Sequence, residues 1–216
     1  MAGNSVFLVA SPTAYIPTRF HLRGYAGHTG RMDVLIRSII SCAGGSYSYY
    51  GLLCGKEKGT GLCPAIIVED CSRVPVKVEE HDIVKGILDG SLAWARLETI
   101  DVEHLVWRLS KEKFSFIMLD EHGTRICDKH PGNPLVKKQG LVFFLGGHTG
   151  FPESLHRVIS RYKPSKISVG PISLHTSNVV IVVRYIFEIG LRGFCEDFES
   201  LIKGGSNGYT EQRGVD

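Results

Sequence analysis

Residues 141–183 read LVFFLGGHTGFPESLHRVISRYKPSKISVGPISLHTSNVVIVV. The apolar run Leu141–Leu145 stops at Gly146-Gly147, and a short run bounded by glycines predicts a buried strand. A glycine-rich loop, Gly146 to Gly150, leads into a segment with Leu155, Val158 and Ile159 at helical spacing. Arg157 and Arg161 lie off that face, which predicts an amphipathic helix. Pro152 suits its first turn, where the missing N–H costs little, and Pro164 closes it. Ile167-Ser168-Val169 predicts a second short strand that ends at Gly170-Pro171. Two strands in succession therefore end in glycine-bearing loops. In open α/β sheets ligands bind outside the carboxyl ends of the strands, and glycine there lets a ligand approach the backbone closely. Two ordinary turns would leave the same pattern, because glycine-rich loops alone are weak evidence.

The chain around this stretch has 216 residues, enough for one large domain or two small ones. Its 43% hydrophobic and 22% charged content is that of a soluble globular protein. A formal net charge of +3 and a pI near 8.5 permit a nucleic-acid partner through local patches but do not argue for one. No apolar run approaches the roughly 20 residues that span a bilayer, and Val179–Val183 is broken by Arg184. The opening residues lack a basic flank, so no secretory signal is expected. A cytoplasmic protein without a membrane partner is the expectation. The six cysteines, at 42, 54, 63, 71, 127 and 195, form no C-x-x-C pair and predict free buried thiols. Cys54 and Cys63 flank a Gly/Lys loop, where a disulfide or metal site is a lesser alternative. Cys127 and His130 have C-x-x-H spacing without a second ligand pair, so no metal is expected.

Taken in order, Val6–Ala10 predicts an opening strand. Residues 17–30, PTRFHLRGYAGHTG, predict a basic, flexible loop with Arg19, His21, Arg23 and His28. Met32, Leu35, Ile36, Ile39 and Ile40 then fall on one face of a helix that Ala43-Gly44-Gly45 ends. Residues 46–50 continue the loop or begin a strand. GKEKGTG at 55–61 predicts a hairpin tip and not a phosphate-binding Walker loop, whose residue order is absent. Pro64–Glu69 and Val74–Val78 predict strands, and Ile83, Ile87 and Leu88 mark a helical stripe. Residues 97–109 read as a helical or mixed stretch, with Leu105, Val106 and Leu109 buried. Trp94 and Trp107 read as core or interface residues more readily than as a nucleobase platform. Phe114–Leu119 is rich in β-formers and predicts a strand. Residues 120–140 predict a loop region with a possible short hairpin, and the polar end from 204 to 216 predicts a frayed tail after a single domain over 1–203. Strands separated by helical patterns indicate an α/β domain with a largely parallel sheet.

Four stretches together resemble the SPOUT class of RNA methyltransferases. They are residues 22–37, LRGYAGHTGRMDVLIR; the strand end Phe116–Leu119 with its Asp-Glu-His-Gly turn; FFLGGHTG at 143–150; and ISVGPISLH at 167–175. Within that class the chain looks like the archaeal tRNA (pseudouridine-54) N1-methyltransferase family, TrmY-like. Their order and spacing match over most of the chain, with residues 45–95 matching least. The resemblance implies a SPOUT fold, with a largely parallel sheet, helices on both faces and a C-terminal deep trefoil knot. It implies S-adenosyl-L-methionine as methyl donor, tRNA as substrate and a homodimer whose contact includes residues 179–187. It also implies a helix over 176–188, although Val179–Val183 reads locally as a strand and β-branched residues are poor helix formers.

The implied reaction moves a sulfonium methyl to N1 of pseudouridine in the tRNA T-loop. The donor pocket implied by the match is Leu119, Gly146, Val169, Gly170, Pro171, Ile172, Ser173, Leu174 and Val179. Val179 stands where the family commonly has cysteine, which leaves apolar contact but no thiol. Asp33 is the implied proton acceptor or positioning group, and its other reading is a carboxylate favoured at a helix start. Arg31 stands with it as a catalytic candidate, and Arg23 and Arg31 as an RNA clamp on phosphate or base. His148 and His175 read as structural or pocket-shaping. The alternatives are the related rRNA pseudouridine N1-methyltransferases, which carry inserted segments, and a SPOUT-like RNA-binding protein without catalysis.

Overall fold

The structure, a computed structural model, describes residues 5–18, 23–56, 61–128, 135, 140–147, 149–170 and 173–205. Seven strands form one sheet in the order β4-β3-β2-β1-β6-β5-β7. The central strand β1 (Ser5–Ser11) is buried at every residue. It lies between β2 (Tyr47–Leu53) and β6 (Leu141–Gly146), parallel to both. β5 (Ser115–Arg125) runs parallel to β6, and β7 (Ser165–Ser168) parallel to β5. On the other side β3 (Leu62–Val68) and β4 (Arg96–Asp101) add antiparallel. Unbroken apolar runs such as Leu141–Leu145 suit strands covered on both faces.

Alternation along β1 and β6 feeds two cores. Phe7, Val9, Phe143 and Leu145 pack with α2 (Met32–Cys42), α3 (Glu80–Asp89) and the buried side of α6 (Thr176–Gly205). Val6, Leu8, Val142 and Phe144 pack with α4 (Val102–Lys111) and α5 (Glu153–Ser160). The helices thus cover both faces, as the resemblance implied. A buried Phe or Leu contributes on the order of 1.5–3 kcal/mol over an exposed one, so these two layers are the main store of stability.

Several sequence expectations need correction. Val74–Val78 forms no strand and follows a short 3-10 turn, Cys71–Arg73, because Pro75 removes a ladder donor. β5 runs on to Arg125 through the stretch read as a loop, with a register shift between Leu119 and Thr124. The loop at 17–30 contains a one-turn helix, α1 (Tyr25–His28). Cys127 and Cys195 form a disulfide across 68 residues, while Cys42, Cys54, Cys63 and Cys71 are buried and not in disulfides. Only the tertiary fold brings those two cysteines together, so their spacing gave no sign of it. Cys54 Sγ lies 3.4 Å from Cys63 Sγ, a thiol–thiol hydrogen bond and not a disulfide. The Val179–Val183 run is helical, because Val180, Val183 and Ile186 bury one stripe of α6 on the core. Gly190, at φ 82 and ψ 151, breaks α6 into two limbs. The Tyr185 hydroxyl donates to Asp197 Oδ2 at 3.2 Å, so the second limb folds back on the first. Of the expected tail, residues 206–216 lie outside the described residues.

Candidate donor and RNA site

The two glycine-bearing loops meet at the carboxyl rim of the sheet. Thr176 opens α6, and its Oγ1 donates to the Gly146 carbonyl at 2.9 Å. One hydroxyl therefore ties the loop after β6 to the segment after β7. The Ser168 hydroxyl donates to the Gly170 carbonyl at 2.7 Å, and the Ile126 N–H donates to the Ser168 carbonyl at 2.8 Å, so the end of β7 is anchored to the end of β5. The glycines differ in what they do. A β-carbon on Gly146 would lie 2.6 Å from the Gly150 backbone, so the loop's own closure requires glycine there. A β-carbon on Gly170 would meet nothing within 4 Å, so that position faces open space.

Around this opening Leu119, Leu174 and Val179 are half-buried and pack on the same apolar core as buried Val169. Ser173 and His175 are exposed, and the His175 carbonyl receives the first N–H groups of α6. Pro171, Ile172 and His148 lie outside the described residues. The structure thus brings Leu119, Gly146, Val169, Gly170, Leu174 and Val179 to one place. Half-buried aliphatic side chains, an open glycine and carbonyl groups thus lie together at this rim of the sheet.

The second cluster begins at Gly30, whose β-carbon would lie 1.9 Å from the Thr13 carbonyl oxygen. Only glycine allows that approach. Next to it, Arg31 takes φ 77 and ψ 36, a left-handed conformation for a residue with a β-carbon. Its Nε donates to Asp33 Oδ1 at 2.9 Å and its Nη2 to Asp33 Oδ2 at 3.1 Å. This is the two-pronged geometry that makes arginine–carboxylate pairs strong. Asp33 is only 3% exposed, in the first turn of α2. Hydrogen bonding to Asp33 holds the Arg31 guanidinium above its ordinary pKa.

Arg37 continues the network. It lies 3.8 Å from Asp33 and donates from Nε to Glu80 Oε1 at 2.8 Å, which raises its own pKa. The Tyr25 hydroxyl donates to the other Glu80 oxygen, and burial followed by that bond pushes the phenol well above its usual range. Tyr25, Arg37 and Glu80 were missed as site partners in the sequence, because Glu80 meets them only through the packing of α3 on α2. Arg23 is exposed in the turn before α1 and does not join this network among the described contacts.

The two clusters flank one turn of chain. Gly147 donates its N–H to the Ala10 carbonyl at 2.8 Å and stands against Pro12, while Gly30 stands against Thr13. The Arg31 loop and the Gly146 loop therefore sit on either side of Pro12-Thr13. An open cavity of about 610 Å³ lies elsewhere, between the end of α3 and β4. Four of the polar side chains that line it are partnered: Asp70 with Ser72, Asp89 with the Ser91 N–H, and Arg96 with Glu69, besides Glu98.

Residues 94–188 match a family model described as "Putative SAM-dependent RNA methyltransferase". The chain is 26% identical over 184 residues to a tRNA (pseudouridine(54)-N(1))-methyltransferase of Aeropyrum pernix, covering 83% of this chain and 92% of that one. It is 24% identical over 203 residues to the enzyme of the same name from Methanococcoides burtonii, covering 87% and 97%. Among solved structures, Archaeoglobus fulgidus Nep1 bound to S-adenosylhomocysteine superposes with a TM-score of 0.57 at 14% identity, covering 88% of this chain and 99% of that one. The segment that carries both glycine-bearing loops is thus similar to a family described as putative S-adenosylmethionine-dependent RNA methyltransferases, and the chain shares its fold with that Nep1 structure.

Proposed function

We propose that this protein is an S-adenosylmethionine-dependent methyltransferase that methylates N1 of pseudouridine in the T-loop of tRNA. The observation that carries the reading is the joining of the two loops by Thr176 and Gly146 beside the open face of Gly170. The similarity to archaeal enzymes of that name along 83–87% of the chain supports the substrate. S-adenosylmethionine supplies a methyl on a sulfonium. The ring nitrogen takes that methyl as the carbon–sulfur bond breaks, and its proton must leave.

Leu119, Val169, Leu174 and Val179 would enclose the donor and exclude water, with Gly170 leaving room for it. Arg31 has N–H donors beyond those given to Asp33, and they would meet a phosphate or a base carbonyl. Asp33 fixes the direction of that guanidinium. Each of its oxygens keeps a further lone pair, so the same carboxylate is the candidate acceptor for the leaving proton. Arg23, exposed on the same loop, would add a phosphate contact. We also infer the deep trefoil knot of the class, a cytoplasmic location and a homodimer, in which the exposed stripe Ile181, Tyr185 and Ile189 on the first limb of α6 is the contact.

Donor binding is tested by melting the protein with and without S-adenosylmethionine. At a hundredfold excess over Kd a ligand selective for the folded state adds about 2.7 kcal/mol, which for a chain of this size is a rise of roughly 5–10 °C. Gly170→Val should abolish the rise while melting like the wild type, since its β-carbon meets no protein atom. Nucleoside mass analysis of a tRNA carrying pseudouridine in the T-loop should then show methylated pseudouridine only with wild type. A melting point that ignores the donor, or donor binding without methylation of that tRNA, overturns the reading.

A further inference from the structure

We propose that the solvent face of α4 is a second RNA-contacting surface, where an unpaired base of the bound RNA stacks on Trp107 and lysines at the helix ends hold the flanking phosphates. The inference rests on the reading of the protein as an RNA methyltransferase. Trp107 is 48% exposed, although α4 buries Val102, Leu105, Val106 and Leu109 on its other side. The sequence pattern favoured a core or interface role for this ring, and its exposure rules out the core. His104 stands 5.5 Å from it, and the Lys111 amine lies 5.8 Å from the ring centre. An aromatic face beside a cation is the combination that holds bases without regard to their identity.

The charge around the ring points the same way. From 102 to 113 and from 153 to 163, six Lys or Arg stand against three Glu. Arg161 pairs with Glu103, which joins α4 and α5 into one surface. The residues with positive φ among the described non-glycines are Arg31, Lys113 and Lys163. Lys113 and Lys163 follow the ends of α4 and α5, where glycine is the usual residue. Both left-handed positions thus carry a positive charge where the backbone favours glycine. Protein interface cores are depleted in lysine, so this face fits an anionic polymer better than a second protein. Its position suits the same RNA. α4 starts at the rim where β1 and β6 end, because β4 runs parallel to β1, and it crosses the sheet to reach β5.

The chain holds two tryptophans, so Trp94→Phe leaves Trp107 as the sole reporter. Titrating this variant with the tRNA transcript, without donor, should quench its emission along the same curve as filter binding. Trp107→Ala should raise KM for tRNA about tenfold, the scale of one lost stack, with kcat unchanged, and Trp107→Phe should restore most of it. Lys113→Ala and Lys163→Ala should each flatten the salt dependence of binding by about one unit of slope. RNA that is bound and methylated while Trp107 emission stays constant and the Trp107→Ala KM is unchanged overturns this inference alone. Emission that follows protein concentration instead of RNA makes the face a contact between copies and also overturns it. RNA that is neither bound nor methylated by wild type overturns the functional reading beneath it.

Discussion

Arg31 holds a backbone conformation that disfavours a residue with a β-carbon by about 1–2 kcal/mol, and its bonds to Asp33 keep it there. Backbone strain of this kind gathers at functional sites. Asp33→Asn keeps the shape of the side chain and removes its charge. We expect it to bind donor as before, to bind tRNA no more weakly than Arg31→Ala does, and to transfer methyl from the bound complex about a hundredfold more slowly, the scale of a lost acid–base group. Single-turnover transfer checks this, and a normal rate would leave Asp33 as a helix-start residue. Arg31→Ala should weaken tRNA binding and lower the salt slope by about one unit. If binding survives the loss of both Arg31 and Arg23, the clamp lies elsewhere. The pairing of Gly30-Arg31 with Asp33 was legible as a motif, because its members are adjacent in sequence. The left-handed turn and the reach to Glu80 and Tyr25 were not, since they come from α3 closing on α2 and leave no trace in periodicity.

At the scale of elements, the strand runs Val6–Ala10 and Leu141–Leu145 and the amphipathic helices were legible, because each carries one dominant period. α6 was not legible from local pattern. Its valine run favours a strand, and only the family resemblance turned the expectation to a helix, which packing on α2 then stabilises. The fold-back at Gly190 and the Cys127–Cys195 bond escaped both readings. That bond ties the second limb of α6 to the chain just past β5. Cross-links closing loops of this length contribute about 2–5 kcal/mol. Cys195→Ser, or added reductant, should lower the melting temperature by roughly 5–15 °C. Calorimetry with and without reductant measures it, and an identical melt would show that packing of Phe194 and Phe198 already holds the limb.

For the whole molecule, the exposed stripe on α6 sets the expected assembly. Light scattering should give twice the 23.8 kDa of one chain at micromolar concentration. Ile181→Asp, at the most exposed of those apolar positions, should give the monomer with an unchanged circular dichroism spectrum. A wild-type monomer would remove α6 as the contact. The sheet order has a further consequence, for synthesis. β1 pairs with β2 early, Val6 to Ser48, but its other edge waits for β6, Val6 to Val142. At roughly 5–20 residues per second, that edge of the most apolar strand stands open on the nascent chain for on the order of 5–20 s. An open, uncharged strand edge is a template for other chains. Yield in a rapidly translating host should therefore be limited by capture of half-made chains before β6 emerges, and slower synthesis or a chaperone that shields the first hundred residues should recover soluble protein.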